Sequence, residues 1–342
     1  MRLQNGTIRS AIIGYGGEFN MGKHHALEMK NAGIELTAVC DINPDRAAEA
    51  ARDFPAIRTY TSVEELLSQP DIDLVTVITP HHTHADLASA VLEHGKHCIL
   101  EKPMCIHADD ASRLTRLAHD RGLMLSVYHN RRWDGWYLTV QDLVSRGQLG
   151  DIFYAEFYFA GFDPMRDWWR SDKAVSGGAF YDWGAHYVDW TLGLIPSAVR
   201  SVRGYAQKRL WHGHTNEDQL DGLIEFENGA VVHAQASSIA HAGRGEERIL
   251  GTRGAVTLNR RDDYLTLHTQ LEGNAIETRV PIQPSRSEAY YLNIAAHLRL
   301  QEALVVQPEQ ARRVIAVLEA ITLSAERREP LTVPYESGAG AL

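Results

Sequence analysis

The sequence is poor in the features that would commit it to an oxidised compartment, a membrane or a polyanion. Cysteine occurs only three times in 342 residues, as Cys40, Cys98 and Cys105. Two of these lie in apolar stretches that read as buried strands, so a disulfide framework is excluded and reduced thiols in a cytoplasmic protein are expected. No apolar run approaches the roughly 20 residues needed to cross a bilayer. Arg2, followed by polar Gln4, Asn5 and Thr7, leaves no signal-peptide core. Excess positive charge is missing as well: a formal net charge of −10 argues against nucleic acid or an anionic membrane surface as partner. Internal repeats, low-complexity tracts and long linkers are absent. What remains, 44% hydrophobic and 23% charged residues, is the composition of a soluble globular protein. The chain is long enough for two domains of ordinary size.

The most informative stretch runs from Leu74 to Pro103. Leu74–Ile78 is a continuous apolar run with β-branched residues, as expected of a strand covered on both faces of a parallel sheet. Leu87, Ala88, Val91 and Leu92 repeat at helical spacing, and Gly95 stands where a left-handed residue would close that helix. Cys98–Leu100 is the next strand, so Glu101-Lys102-Pro103 projects from its carboxyl end, where open parallel sheets place their ligands. Most lysines are solvated surface residues. Lys102 differs, because it follows a buried strand and Pro103 restricts its backbone.

Upstream, Ile8–Ile13 is an apolar strand running into Gly14-Tyr15-Gly16-Gly17. A helix is expected over His24–Ala32, closed by Gly33, and a second strand over Leu36–Cys40 stops at Asp41. Strand, glycine turn, helix, strand and acid form one mononucleotide-binding half, with the pyrophosphate at a helix N-terminus. The literal G-x-G-x-x-G fails because Phe19 holds its third position; Gly22 is the candidate for that role, and Asp41 follows it at near the usual spacing. Asp41 can accept hydrogen bonds from both ribose hydroxyls, and its charge opposes a 2′-phosphate. This favours NAD, while Arg46 nearby keeps NADP open. A short helix over Thr61–Leu67 carries a Ser62/Glu65 capping box. Another spans Asp109–His119 before Gly122, and Leu123–Val127 is the domain's last strand.

Tyr128–Asp134, which leaves that sheet, reads either as a solvated hinge with two surface arginines or as part of a cleft wall. Beyond it the strands come as hairpins: Asp151–Ala160, Ala198–Gln207, Asp221–Glu227, Ala230–Ser238, Glu247–Leu250, Ala255–Leu258, Tyr264–Thr269 and Glu277–Pro281. They indicate a mostly antiparallel open sheet. Helices follow over Ser287–Val305 and Pro308–Arg327, and the tail Glu336–Leu342 reads as disordered. The expected architecture is therefore α/β: a Rossmann domain over residues 1–127, an α+β domain over 128–335, and a tail over 336–342.

Between these strands, Ser176-Gly177-Gly178 opens a helix on which Asp182 and His186 are four apart and share one face, with Asp189 a further turn along. Taken alone, such a histidine is more often a satisfied core residue than a catalytic one. Phe162–Arg170 brings Trp168 and Trp169 beside Arg170. That grouping is either an apolar cap with the arginine in solvent or a surface on which sugar faces pack and a guanidinium forks to hydroxyls or a carboxylate. The 17 histidines include His81-His82-x-His84, His24-His25 and His212-x-His214. Zinc needs three or four converging ligands, and no metal is expected; the loop with His212 and His214 has no assignment.

Thr79-Pro80, His84, Gly95-Lys96-His97 and Glu101-Lys102-Pro103, in that order, together with the Gly177-Gly178 helix opening, resemble the Gfo/Idh/MocA oxidoreductase family over nearly the whole chain. The resemblance implies that Lys102, Asp182 and His186 line the nicotinamide as the catalytic groups. It implies cofactor contacts from Gly14, Tyr15, Gly16, Gly17, Phe19, Asp41, Ile42, Thr79, Pro80, His81, His84, Glu101 and Lys102. It implies substrate contacts from Lys102, Asn130, Arg131, Trp168, Trp169, Arg170, Asp182 and His186. A homodimer or homotetramer through the open sheet is implied too. Ser176 stands where many members carry a third glycine. The chemistry expected is oxidation of a secondary hydroxyl of a sugar, polyol or sugar derivative with NAD(P): His186 as general base, Asp182 orienting or sharing its proton, Lys102 stabilising charge on the substrate oxygen. A glycosidase that keeps NAD bound and works by transient oxidation and elimination is the alternative; a cofactor-bound regulatory protein is the non-enzymatic one.

Overall fold

A computed structural model describes residues 6–17, 19–163, 166–243, 247–259 and 261–336. The chain divides into two compact units: residues 1–129 with 288–312, and residues 130–287 with 313–342. The helix at the start of the second segment of unit 1, expected in the second domain, therefore groups with the first.

Unit 1 is built in the order β1 (Ile8–Ile13), α1 (Met21–Asn31), β2 (Ile34–Cys40), α2 (Pro44–Asp53), β3 (Arg58–Tyr60), α3 (Val63–Leu67), β4 (Leu74–Val77), α4 (His84–Glu93), β5 (His97–Leu100), α5 (Ala108–Arg121) and β6 (Leu125–Val127). The strands form one parallel sheet in the order β3-β2-β1-β4-β5-β6. Its reversal at β1 makes a topological switch point. Register aligns the strand ends: Ile13 pairs with Cys40 and Val77, Val77 with Leu100, and Leu100 with Val127. The next residue on each strand, Gly14, Asp41, Ile78, Glu101 or Tyr128, therefore stands in a row along the carboxyl edge. β4 and β5 are buried throughout, polar Thr76 and His97 included. Glu65 N–H donates to Ser62 Oγ at 3.3 Å to start α3, and Gly95 and Gly122 close α4 and α5 with positive φ.

Unit 2 carries α6 (Gly135–Ser145), β7 (Ile152–Ala160), α7 (Lys173–Ser176), α8 (Phe180–Leu194), β8 (Val199–Gln207), β9 (Gln219–Phe226), β10 (Val231–Ser237), β11 (Glu247–Gly251), β12 (Ala255–Leu258), β13 (Tyr264–Leu271) and β14 (Asn274–Pro281). The sheet runs β14-β13-β12-β11-β7-β10-β9-β8 and is antiparallel except where β10 runs parallel to β7. On the described helices that close the chain, α9 (Ala289–Leu300) belongs to unit 1, and most of α10 (Pro308–Arg327) to unit 2. The α9 range is shorter than Ser287–Val305 because Gln301 turns left-handed at φ 58° and ends it.

One sheet face is covered, with Ala155, Phe157, Ile224, Val232 and Ala234 buried. The other face bears half-exposed polar residues, among them Glu156 bonded to Arg248 at 2.6 Å and Asp221 to His233 at 2.9 Å. The tail begins later than expected: Glu336 is buried and its carboxylate accepts from Arg313 at 2.5 and 2.7 Å. Residues 337–342 lie outside the described residues.

Candidate cofactor and active site

At the carboxyl edge of the parallel sheet, Gly14 leaves β1 with φ +86° and donates its N–H to Cys40 O at 2.8 Å. A Cβ there would stand 2.1 Å from Ile78 O, so the residue must be glycine for two independent reasons. Gly22 lies in the first turn of α1, which begins three residues before the expected His24. A Cβ on Gly22 would meet Tyr15 O at 2.4 Å, so the helix start packs directly on the glycine turn. Gly16 is half-buried and Gly17 exposed on that turn. Phe19 and Ile42 are exposed, Ile42 by 84%.

Asp41 ends β2 with both carboxylate oxygens in use. Oδ2 accepts from Tyr15 N at 2.9 Å and Gly16 N at 3.3 Å, and Oδ1 from Asn43 N at 2.9 Å. The acid expected to meet ribose thus also fastens the glycine turn. Arg46 is paired with Glu49 at 2.9 Å. Together, a cradle that only glycine fits and an acid at the end of β2 suit a dinucleotide with a free ribose diol.

After β4, the Thr79 hydroxyl meets that of Thr83 at 2.7 Å, and Thr83 Oγ1 donates to Pro80 O at 2.7 Å. His81 is buried edge-on to His84. His84 itself has Nδ1 2.8 Å from Pro103 O and Nε2 2.8 Å from Thr79 O. Burial pushes its imidazole below the ordinary pKa, against the pull of those two carbonyls. Both ring nitrogens thus lie within hydrogen-bond distance of backbone carbonyls on two loops, one of which a neutral imidazole can serve. Glu101 accepts Lys102 N–H at 2.8 Å through Oε2 and meets His25 Nε2 at 3.0 Å through Oε1. Lys102 is half-buried.

In unit 2, Gly177 and Gly178 take φ of +87° and +122° before α8. Ser176 Oγ accepts from Gly178 N at 3.2 Å and is 3.2 Å from Asn216 Oδ1. Glu217 accepts from Ala179 N at 3.1 Å and pairs with Lys173 at 2.8 Å, adding a carboxylate at the helix N-terminus, where the dipole favours it. Asp182 is half-buried, and His186 is buried between Trp183 and Trp190, with ring centroids 5.7 and 5.9 Å away.

Arg170 is not a solvent arginine. Its guanidinium stacks 4.7 Å from the Trp168 ring and 4.4 Å from that of Trp169, with Nε 3.9 Å from Asp182 Oδ1. Pro164 and Met165 of the same segment lie outside the described residues. The two arginines of Tyr128–Asp134 are likewise tied down. Arg132 forks to buried Asp189 through Nη2 at 2.6 Å and Nε at 2.9 Å, while Arg131 lies 4.8 Å over Trp183 and pairs with Asp134 at 3.0 Å. Asn130 opens this turn, half-buried. His212 is exposed, on a loop whose backbone Asp218 gathers. Sequence reasoning missed Glu217, His25 and Tyr291; each acts through long-range contacts that no local spacing announces.

Two family models match: the oxidoreductase family NAD-binding Rossmann fold over residues 8–129, and the oxidoreductase family C-terminal alpha/beta domain over residues 141–333. The chain belongs to the Gfo/Idh/MocA oxidoreductase family. It is 30% identical to scyllo-inositol 2-dehydrogenase (NADP(+)) IolW of Bacillus subtilis, over 96% of this chain and 97% of that one. It is 26% identical to scyllo-inositol 2-dehydrogenase (NAD(+)) of the same organism, over 84% of each. Among solved structures, the putative oxidoreductase yvaA of Bacillus subtilis superposes with a TM-score of 0.87 at 26% identity, over 97% of this chain and all of that one. Membership makes the α/β two-domain fold and the NAD-binding first domain properties of this chain. No described helix is long and apolar enough to cross a membrane.

Proposed function

We propose that this chain is an NAD-dependent dehydrogenase of a secondary hydroxyl on a sugar, polyol or sugar derivative, with a cyclitol such as an inositol as the first substrate to try. One observation carries the reading: α8 presents Asp182 and His186 one turn apart, with Arg170 stacked on two indoles beside Asp182. Indole faces suit the C–H faces of a ring polyol, and the acid–imidazole pair suits removal of a hydroxyl proton. In this reading His186 takes the proton from the substrate oxygen, and Asp182 orients the imidazole or shares the proton. Lys102, two residues past the end of β5, stabilises the charge that develops on that oxygen. The nicotinamide supplies hydride transfer when bound. NAD is preferred because Asp41 opposes a 2′-phosphate, exposed Ile42 offers no charge to attract one, and Arg46 is occupied by Glu49. Both related enzymes carry dehydrogenase names, which favours this reading over the glycosidase. Assembly through the half-exposed face of the second sheet belongs to the same proposal, and sedimentation velocity checks it.

The test is reduction of NAD, and separately NADP, followed at 340 nm with a panel of inositols, sugars and nitrophenyl glycosides. The expected result is net NADH with at least one cyclitol or sugar. Lys102→Ala and His186→Ala should lose about 10²–10⁴-fold in kcat while binding NAD nearly as before. Phenol release without NADH, or full turnover in either variant, overturns the proposal.

A further inference from the structure

We propose that His25 and Tyr291 are positioning residues for the reaction read above, holding the Glu101 carboxylate against the backbone of Lys102. The inference rests on that reading for its function, but its geometry stands within unit 1. His25 is fully buried on α1. Its Nε2 is 3.0 Å from Glu101 Oε1 and its Nδ1 is 2.7 Å from the Tyr291 hydroxyl on α9. That hydroxyl is 3.5 Å from Thr76 Oγ1 on β4. The other carboxylate oxygen accepts Lys102 N–H at 2.8 Å.

A proton assignment that satisfies the whole chain runs from Thr76 to Glu101. Thr76 donates to Tyr291, Tyr291 donates to His25 Nδ1, and Nε2–H donates to an ionised Glu101. Burial keeps the Tyr291 phenol protonated, far above its ordinary range, so it can serve as that donor. Burial alone would push the Glu101 carboxyl up, yet the hydrogen bond and electrostatic pull of His25, with the charge and N–H of Lys102, bring it below the ordinary value. The groups facing Glu101 are His25 from α1, Tyr128 after β6, Tyr291 from α9, His84 from α4 and its neighbour Lys102. Glu28 accepts from Tyr128 at 2.5 Å, and its charge also reaches Tyr291.

A buried polar chain costs desolvation that an apolar core would avoid, and this one ends on the residue before Lys102. On the other side of Lys102, the Pro103 carbonyl is held by His84 at 2.8 Å. Lys102 is therefore bracketed at both flanking residues. Such bracketing fixes the backbone from which its side chain departs, and misplacement of about 1 Å can cost roughly 10²-fold in rate.

The test uses the full chain labelled with carboxyl-13C glutamate, with Glu101→Gln to assign the signal. Wild-type Glu101 should titrate below ordinary glutamates. In His25→Phe, and less so in Tyr291→Phe, the signal should titrate at higher pH, because burial then acts with less opposition. Sign follows directly: activity that needs ionised Glu101 is kept at high pH and lost as pH falls through the raised value. The acid limb of kcat/KM should therefore move up in both variants, with kcat down roughly 10- to 100-fold in His25→Phe and NAD binding nearly unchanged. Tyr291→Phe removes one oxygen and keeps the test alive should His25→Phe not fold. A Glu101 signal that titrates normally in wild type, or moves in neither variant, overturns the network. An enzyme with the shifted signal that oxidises no polyol overturns the functional reading and leaves the network standing. A loss of activity equal at every pH assigns these residues to folding alone and overturns the positioning role.

Discussion

Removing Arg132 is the sharpest test of how the turn after the first unit is held. Its guanidinium is 18% exposed and grips Asp189, 3% exposed, through two nitrogens at 2.6 and 2.9 Å. Arg132→Ala strands a buried carboxylate, a change that costs about 3–5 kcal/mol. An exposed ion pair would cost about 1 kcal/mol or less. The assay is built into the sequence: all seven tryptophans lie between Trp133 and Trp211, so indole fluorescence reports unit 2 alone. For a unit of this size the loss should lower its fluorescence-detected midpoint by roughly 6–20 °C. Replacing both partners, Arg132→Leu with Asp189→Leu, should recover most of that loss, since a well-packed apolar pair avoids the desolvation of two charges. If Arg132→Ala costs no more than an exposed pair, the turn is a solvated hinge and the anchoring argument fails.

Other perturbations probe the remaining joints. Gly22→Ala drives a methyl against Tyr15 O and should weaken NAD binding about tenfold or more by calorimetry. Gly213→Ala, with nothing within 4 Å, should change nothing. Asp41→Ala removes both the charge and the clasp on the glycine turn, so NAD should bind more weakly and the ratio of NADP to NAD dissociation constants should fall by about tenfold, or 1.4 kcal/mol. Asp218 is held down to about 2: burial opposes ionisation, but Lys208 and the N–H groups of residues 209 to 211 outweigh it. A depressed carboxyl stabilises the fold above its unfolded value and loses that contribution as pH drops through the folded one. The stability deficit of Asp218→Asn in urea unfolding should therefore be largest near neutral pH and vanish between about pH 4 and pH 2.

Much of the first unit was legible because its signals are local. Largely apolar runs mark β4 and β5, and the glycines after α4 and α5 mark their ends. What the sequence hid was short or distant. β3 has only three residues, none fully buried, so it lacks the apolar run by which its neighbours announce themselves. The allegiance of α9 depends on Tyr290 and Tyr291 reaching Ser126 and His25 across more than 160 positions of chain. Gly204 and Gly222 face each other on β8 and β9. They are where Ile321 of α10 presses on the sheet, its carbonyl 2.0 Å from where a Gly204 Cβ would stand.

The candidate site divides along the same line. Helical spacing alone aligns Asp182 with His186, and a buried strand ending two residues earlier gives Lys102 its place. The groups that hold those side chains do not follow from spacing, because a hydrogen bond has a direction but no period in sequence. Glu217, which meets the start of α8, and His25, behind Glu101, could be named only once the chain was folded, and so could the backbone partners of His84. His84, near a proposed cofactor loop, has its two nitrogens on Thr79 O and Pro103 O. A neutral imidazole carries one N–H and can donate to only one of those carbonyls, and burial disfavours the doubly protonated form that could serve both. His84→Asn, which can still donate through its amide, should therefore disturb Lys102 less than His84→Ala. Its kcat should fall between those of wild type and the alanine variant, and equal losses in the two would leave His84 no bracing role.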